Sequence, residues 1–488
     1  MSVRVTTPDT TQIRSGCGGS EPLPARLEPW QIELCGNPKL LAEWVDHHGS
    51  PLNVLDPTPL ARNAGELQSA ATLAGVELKV FFARKANKAL ALVDEARDNA
   101  LGVDVAGERE LAQVLARGVP ASDIVVTAAV KPRALLELCV ASGATVVIDN
   151  EDELTLVTEV ADGAERDVPV AFRLAPEIAP CTRFGLPAAQ IAALAGRLWP
   201  HGPAGRLVLS GLHFHLDGYR ASDRVAALGE TLELVDALRG RGHRLTFVDI
   251  GGGIPMSYLD DAAVWDRFWS EHRAALAGRR EPLTFEGHGL GLTAHDGEIR
   301  GLPSVYPYYQ RLVRGAWLAH VLDGELSTGA GRRPAAAALR LRGLELRCEP
   351  GRSLLDGCGL TAARVEFRKQ RRDGMWLIGL AMNRTQCRST SDDFLVDPLL
   401  LSPASEREGP AAGELEGYLV GAYCVERELL TRRLLRLPRG VAVGDLVVFP
   451  NTAGYLMHSL ESASHQIPLA HNLIVRSGAP PFLDAIDS

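Results

Sequence analysis

At 488 residues the chain is long enough for two domains, because single cores stop growing at about 250–300 residues. Its 46% hydrophobic and 23% charged content is that of an ordinary globular protein, and a net charge of −9 argues against a general nucleic-acid or anionic-membrane binder. No apolar leader core and no run of about 18 apolar residues occurs, so neither secretion nor a membrane span is signalled and a cytoplasmic setting is expected.

Taken in chain order, residues 1–24 read as a flexible N-terminus, and residues 25–50 as a segment that packs on a later β domain. From residue 77 short β-branched runs alternate with longer helical patterns, the signature of a parallel sheet. Eight runs are counted: 77–83, 101–106, 123–128, 144–149, 168–174, 206–215, 244–250 and 343–349. Eight strand–helix units predict an α/β fold, a (β/α)8 TIM barrel over residues 51–357, with a doubly wound sheet as the competing topology. The connection at about 255–340 is unusually long and carries "VWDRFWSEHRAAL" and "VYPYYQRLVRGAWLAHVL", so it is expected to be a lid, a substrate wall or a partner surface. Residues 358–488 change to a strand-and-turn pattern, with a DG hairpin in "RDGMW", and predict a mainly β C-terminal domain, with 402–414 as a loop within it.

Active sites of TIM barrels lie at the C-terminal ends of the strands. Those ends here carry Lys85, Asp104, Arg173, His213, His215, the "DIGGG" of 249–253, and Glu349 followed by Gly351 and Arg352. Lys85 stands out because the chain holds only six lysines among 51 basic residues, and only a lysine amine can lose its proton and form a Schiff base. The glycine run lets backbone N–H groups approach an anion, although a tight turn needs the same residues; "EPGR" adds an arginine able to grip phosphate in bidentate fashion, although a turn with a surface ion pair reads identically. Together the two loops suggest a phosphorylated ligand. His213 and His215 alternate on a strand and could ligate a metal, but no third ligand stands at fitting spacing and no metal is expected. The eight cysteines have no CxxC spacing; Cys424 reads by default as a small buried residue and Tyr455 as an ordinary half-buried aromatic.

Seven segments, "FFARKANKALALV", "GVDVAGERELAQVLARGV", "GLHFHLDG", "FVDIGGG", "CEPGRSLL", "GAYC" and "NTAGYLMH", stand in the order of the motifs of the fold-type III pyridoxal-phosphate decarboxylases. Over about residues 50–475 the chain resembles the diaminopimelate, ornithine and arginine decarboxylases of the alanine-racemase-like superfamily. The resemblance implies pyridoxal 5'-phosphate as cofactor, held by Lys85 as an internal aldimine. It implies Glu349 at the pyridine nitrogen, His215 stacked on the ring, and Gly251, Gly252, Gly253, Gly351, Arg352 and Tyr455 around the phosphate. Asp104, Glu110 and Arg173 match polar positions about the ring and the lysine. Cys424 matches a cysteine that reaches a partner subunit's cofactor and protonates the quinonoid intermediate, which implies a homodimer with shared active sites.

The departures concern the substrate. Val425 stands where the basic-amino-acid decarboxylases carry an acidic residue, with Glu426 nearby, while "AMNRTQCRSTSDDF" brings Arg384 and Arg388 against Asp392. The expected activity is therefore decarboxylation of an amino-acid-type small molecule, conjugated or carrier-bound, and not of a standard basic amino acid. The competing readings are an amino-acid racemase or epimerase on the same scaffold, and a non-catalytic decarboxylase-like binding protein.

Overall fold

The computed structural model describes residues 10–199, 204–328, 331–389, 394–403 and 413–487. It divides into two compact units, one comprising residues 58–255 and 312–354, the other residues 1–57, 256–311 and 355–488.

The first unit is a closed barrel of eight parallel strands. These are β1 (Leu78–Ala83), β2 (Gly102–Val105), β3 (Ile124–Val126), β4 (Thr145–Ile148), β5 (Val168–Leu174), β6 (Ala204–Phe214), β7 (Phe247–Asp249) and β8 (Glu345–Cys348). Each strand pairs in parallel with the next, β8 returns to β1, and β7 pairs with both β6 and β8, so no edge is left among the eight. Runs such as "GVDV" and "TVVI" are buried at every position, as expected where one face meets the barrel interior and the other meets helices. Phe81, Val125, Val147, Ala171 and Phe247 form one buried cluster. The helices carry local signals that fix their ends. In α1 (Glu151–Ala161), Asn150 accepts from the backbone N–H of Glu153 and three acids fill the first turn, which suits the positive end of the helix dipole.

The long connection before β8 splits between the units, which corrects its expected extent of about 255–340. Residues 256–311 group with the β-rich unit, whereas the helices Arg314–Leu322 and Ala335–Arg342 are barrel helices. The first of them lies close against the helix Pro59–Leu73: a Cβ added at Gly315 would stand 2.4 Å from the Glu66 carbonyl oxygen, and Arg314 Nε lies 2.8 Å from Glu66 Oε2.

In the second unit the strand Gly359–Gln370 is the spine. It pairs antiparallel with Leu52–Leu55, Leu446–Pro450 and, across the predicted DG hairpin, Trp376–Leu380. Helices Pro29–Cys35 and Pro38–His48 bury Ile32, Leu41 and Val45 against Leu360, Leu446, Val448 and Leu473. From residue 10 the N-terminus is not loose. It forms the helix Thr10–Arg14, pairs Gly18 and Gly19 with Arg436 and Leu435, and hands the N–H groups of Gly19 and Leu23 to the Asp397 carboxylate, itself 2.5 Å from Arg433 NH1. Most of the loop expected over 402–414 lies outside the described residues. No helix among the described residues is long and apolar enough to cross a membrane.

Candidate active site

Lys85 follows β1 by two residues, in a single 3-10 turn, Arg84–Ala86. Its Nζ lies 2.7 Å from Oδ2 of Asp104, which is brought alongside by the register that pairs Ala83 with Asp104. Asp104 is fully buried and also accepts from the Thr127 hydroxyl. Burial pushes its carboxyl upward and the Lys85 ammonium pulls it back, so the two form a charge pair with the amine still 39% exposed. The Arg84 guanidinium, by contrast, is buried and donates to the Asn87 carbonyl and to Gln113 Oε1. The adjacent pair Arg84 and Lys85 thus separates into a structural arginine and an accessible lysine. Glu110 accepts from the Ala106 N–H at 2.7 Å, and burial raises its carboxyl.

A second group is assembled across β5 to β8. Arg173 forms an ion pair with Asp149 at 3.1 Å, donates to the Thr127 carbonyl at 2.7 Å, and donates from Nε to His213 Nδ1 at 3.3 Å. Because Nδ1 accepts, the neutral His213 ring carries its hydrogen on Nε2. Burial, reinforced by the Arg173 charge, holds His213 well below its ordinary range. Its Nε2 lies 3.2 Å from Glu349 Oε1 without hydrogen-bond geometry, so both atoms, together with Asp249 Oδ2, are buried without a hydrogen-bond partner. Desolvation and the neighbouring Glu349 push Asp249 strongly upward. His213 thus faces Asp249 and Glu349, with ligand-type atoms within 4.8 Å, and it is these residues, not His215, that give it neighbours with the spacing of a cation site. The Arg173 guanidinium on the other nitrogen of His213 sets a positive charge against a cation there.

The glycine loop after β7 is held from two sides. Asp249 Oδ1 accepts from Gly251 N, and His215 Nδ1 accepts from Gly252 N at 3.3 Å. Gly251 and Gly253 have φ of +65° and +75°, where a side chain is strained, and an added Cβ at Gly252 would stand 2.9 Å from the Glu349 carbonyl oxygen. Burial, then the Lys85 charge, lower His215 to about 3, so it is neutral and able to accept or to stack. The loop also touches a residue that the sequence reading missed. Arg224, fully buried on the helix Ala221–Arg239, donates from NH2 to the Leu216, Gly218 and Gly252 carbonyls. Gly351 and Arg352 follow β8 directly, beside buried Glu349.

The other expected residues belong to the second unit. Cys424 is an exposed free thiol, with exposed Val425 and Glu426 after it. Glu428 is turned inward: its Oε1 accepts from Arg384 N at 2.6 Å and its Oε2 lies 3.4 Å from Arg384 Nε. Arg388 donates to the Leu429 carbonyl at 3.5 Å. Tyr455 has φ +70°, a left-handed backbone that a bulky residue rarely adopts outside functional sites. Asp392 lies outside the described residues.

The closed barrel, the Lys85 amine beside buried Asp104, the unsatisfied Asp249 Oδ2 and Glu349 Oε1, and the tight glycine loop agree with the pyridoxal-dependent class that the sequence resembles. The family model described as "Pyridoxal-dependent decarboxylase, pyridoxal binding domain" matches residues 62–278. The chain belongs to the fold-type III pyridoxal-phosphate decarboxylase family. It is 31% identical over 433 residues to the uncharacterized protein y4yA of Sinorhizobium fredii, covering 88% of each chain. It is 23% identical over 461 residues to a diaminopimelate decarboxylase of Zymomonas mobilis, covering 91% of each. The structure of diaminopimelate decarboxylase from M. jannaschii in co-complex with L-lysine shares the fold, with a TM-score of 0.67 at 17% identity over 91% of each chain.

Proposed function

We propose that the chain is a pyridoxal 5'-phosphate-dependent carboxy-lyase acting on an amino-acid-type substrate other than the standard basic amino acids. The observation that carries the reading is the pairing of the accessible Lys85 with buried Asp104 at the barrel mouth, on the same strand ends as the glycine loop and the unsatisfied Oε1 of Glu349. These residues fit the cofactor. Lys85 would hold it covalently, Glu349 would meet its ring nitrogen, His215 its ring face, and Gly251, Gly252, Gly253, Gly351, Arg352 and Tyr455 its phosphate. When bound, the cofactor supplies an electron sink for the carbanion left by CO₂ loss.

The chain's own groups supply the remaining steps. Asp104 holds the Lys85 nitrogen in place, and its charge favours the protonated form of that nitrogen. Arg173 braces the Asp149 carboxylate and the Thr127 carbonyl, Glu110 holds the Ala106 N–H, and His215, neutral at working pH, offers a flat face without adding a charge. Cys424 is the proposed acid that returns a proton to Cα from a partner subunit, which makes the proposed functional unit a homodimer.

The substrate choice rests on Val425 and on Glu428. Val425 offers no charge to a distal ammonium, and the Glu428 carboxylate is already engaged by Arg384. Arg384 and Arg388, with Asp392 and Glu426, would read a substrate bearing a carboxylate, an amide or a carrier. The test is CO₂ release from a panel of free and conjugated amino acids by the cofactor-loaded protein, with Lys85→Ala as control. Ordinary turnover of free diaminopimelate, ornithine or arginine would refute the substrate assignment. Racemisation without CO₂, or no borohydride-sensitive visible absorbance in the loaded protein, would refute the carboxy-lyase reading itself.

A further inference from the structure

Arg224 is 0% exposed, yet it forms no ion pair with any carboxylate among the described residues. Its NH2 donates to the carbonyls of Leu216 at 2.9 Å, Gly218 at 3.0 Å and Gly252 at 3.1 Å, while Nε and NH1 have no hydrogen-bond partner. The Trp317 ring, with its centroid 5.9 Å from the guanidinium carbon, is the one aromatic face on it. Burial lowers its pKa only to about 10, so the group is a cation at neutral pH. No carboxylate touches it, although the charges of Asp223 and Asp217 act on it from nearby; a buried cation without a contact partner is costly to keep and is open to an anion arriving from elsewhere.

The geometry says from where. The Gly252 carbonyl points at Arg224, and in a trans peptide the following N–H points the opposite way, so Gly253 N–H is aimed away from the guanidinium. Gly253 itself permits the approach: a Cβ there would stand 2.1 Å from Arg224 NH2. The loop thus has a positive charge behind it and a free amide in front, the arrangement that attracts an anion.

We propose that Arg224 is the buried counter-charge for the phosphate of the cofactor, acting through the 251–253 loop that it holds, and that it sets the preference for the phosphorylated over the dephosphorylated ligand. This inference rests on the pyridoxal-phosphate reading above. Arg224 is a positioning residue, distinct from Arg352, which would touch the phosphate itself.

The experiment titrates the protein, freed of cofactor, with pyridoxal 5'-phosphate and with pyridoxal in parallel, following absorbance, for the unchanged chain, Arg224→Gln and Arg224→Lys. Expected is a loss of about ten- to a hundredfold in affinity for pyridoxal 5'-phosphate in Arg224→Gln and a smaller loss in Arg224→Lys, with pyridoxal affinity altered less than about threefold. Equal losses for both ligands would make Arg224 a merely structural clamp and overturn the proposal, as would no loss for either. The unchanged chain gives a second measurement that does not depend on the folding of a variant. Its melting temperature in the cofactor-free state should rise with inorganic phosphate more than with chloride at equal ionic strength, and the absence of such a rise overturns the proposal. If the unchanged chain binds pyridoxal 5'-phosphate no more tightly than pyridoxal, the reading on which the inference rests falls with it.

Discussion

His215 gives the sharpest test of the site's electrostatics. In the folded chain its pKa is lowered from 6.5 to about 3, first by burial and then by Lys85. A depressed histidine binds fewer protons folded than unfolded, so its contribution favours the folded state fully above the unfolded value and is lost as pH falls below 6.5. Between about pH 7.5 and about pH 5, the unfolded imidazole takes up most of one proton while the folded one takes up almost none, which costs about 2 kcal/mol. His215→Phe keeps a flat ring and removes the titration; it also loses the bond from Gly252 N, a pH-independent offset of about 1 kcal/mol. The assay is urea unfolding of the cofactor-free protein at several pH values, read as the difference between variant and unchanged chain. Other buried titrating groups, Asp104 and Asp249 among them, act on both chains and largely cancel in that difference. The variant should gain about 2 kcal/mol on the unchanged chain as pH falls over that interval. Parallel pH profiles, differing by less than about 0.5 kcal/mol, would show that His215 is not held neutral, and the stacking role built on its neutrality would fail with it.

Lys131 and Glu153 form a fully buried pair at 2.8 Å, with side chains 0% and 5% exposed, so Lys131→Met should cost about 3–5 kcal/mol in urea unfolding by stranding a carboxylate. Cys424→Ala should abolish most CO₂ release, yet mixing it with Lys85→Ala subunits should restore about a quarter of the activity, because half of the randomly assembled dimers then hold one intact shared site. No restoration would count against sharing. Val425→Asp should raise the kcat/KM for diaminopimelate or ornithine by about tenfold or more, since one unscreened charge pair at a site is worth about 1.5 kcal/mol or more; unchanged values would remove Val425 from substrate selection.

The barrel strands are legible because a parallel strand buried on both faces must be a near-continuous β-branched run. "VDV", "TVVI" and "FVD" cannot be placed elsewhere without exposing them. The extent of the connection before β8 is less legible, since an amphipathic helix announces that it packs but not against what, and "RGAWLAHVL" packs on barrel helix Pro59–Leu73. The anchoring of residues 10–24 depends on Asp397, a carboxylate more than 370 positions away, which no local pattern can signal. In the site, Lys85 was visible as a rare lysine. Arg224 was one arginine among 45, and only its burial and its empty donors distinguish it. Strand alternation pairs His213 with His215, but the strand order sets β7 beside β6 and β8 beyond β7, and the three strand ends bring Asp249 and Glu349 to His213.

The distribution of unsatisfied groups gives the mouth a polarity. Around β6 to β8 the unpartnered oxygens of Asp249 and Glu349 ask for a hydrogen-bond donor, and Asp249 responds to its confinement by holding on to a proton more strongly. Behind the glycine loop Arg224 asks for an acceptor. Arg173 is ion-paired to Asp149 and donates to the neutral His213, so its charge is already engaged there. Closing either deficit within the protein would have been simple, for instance by a carboxylate beside Arg224. Leaving both open costs stability, and a single ligand with a protonated ring nitrogen at one end and a phosphate dianion at the other removes both costs at once. Cofactor binding should therefore stabilise the barrel unit more than its contact area alone suggests, and a ligand lacking either end should stabilise it much less.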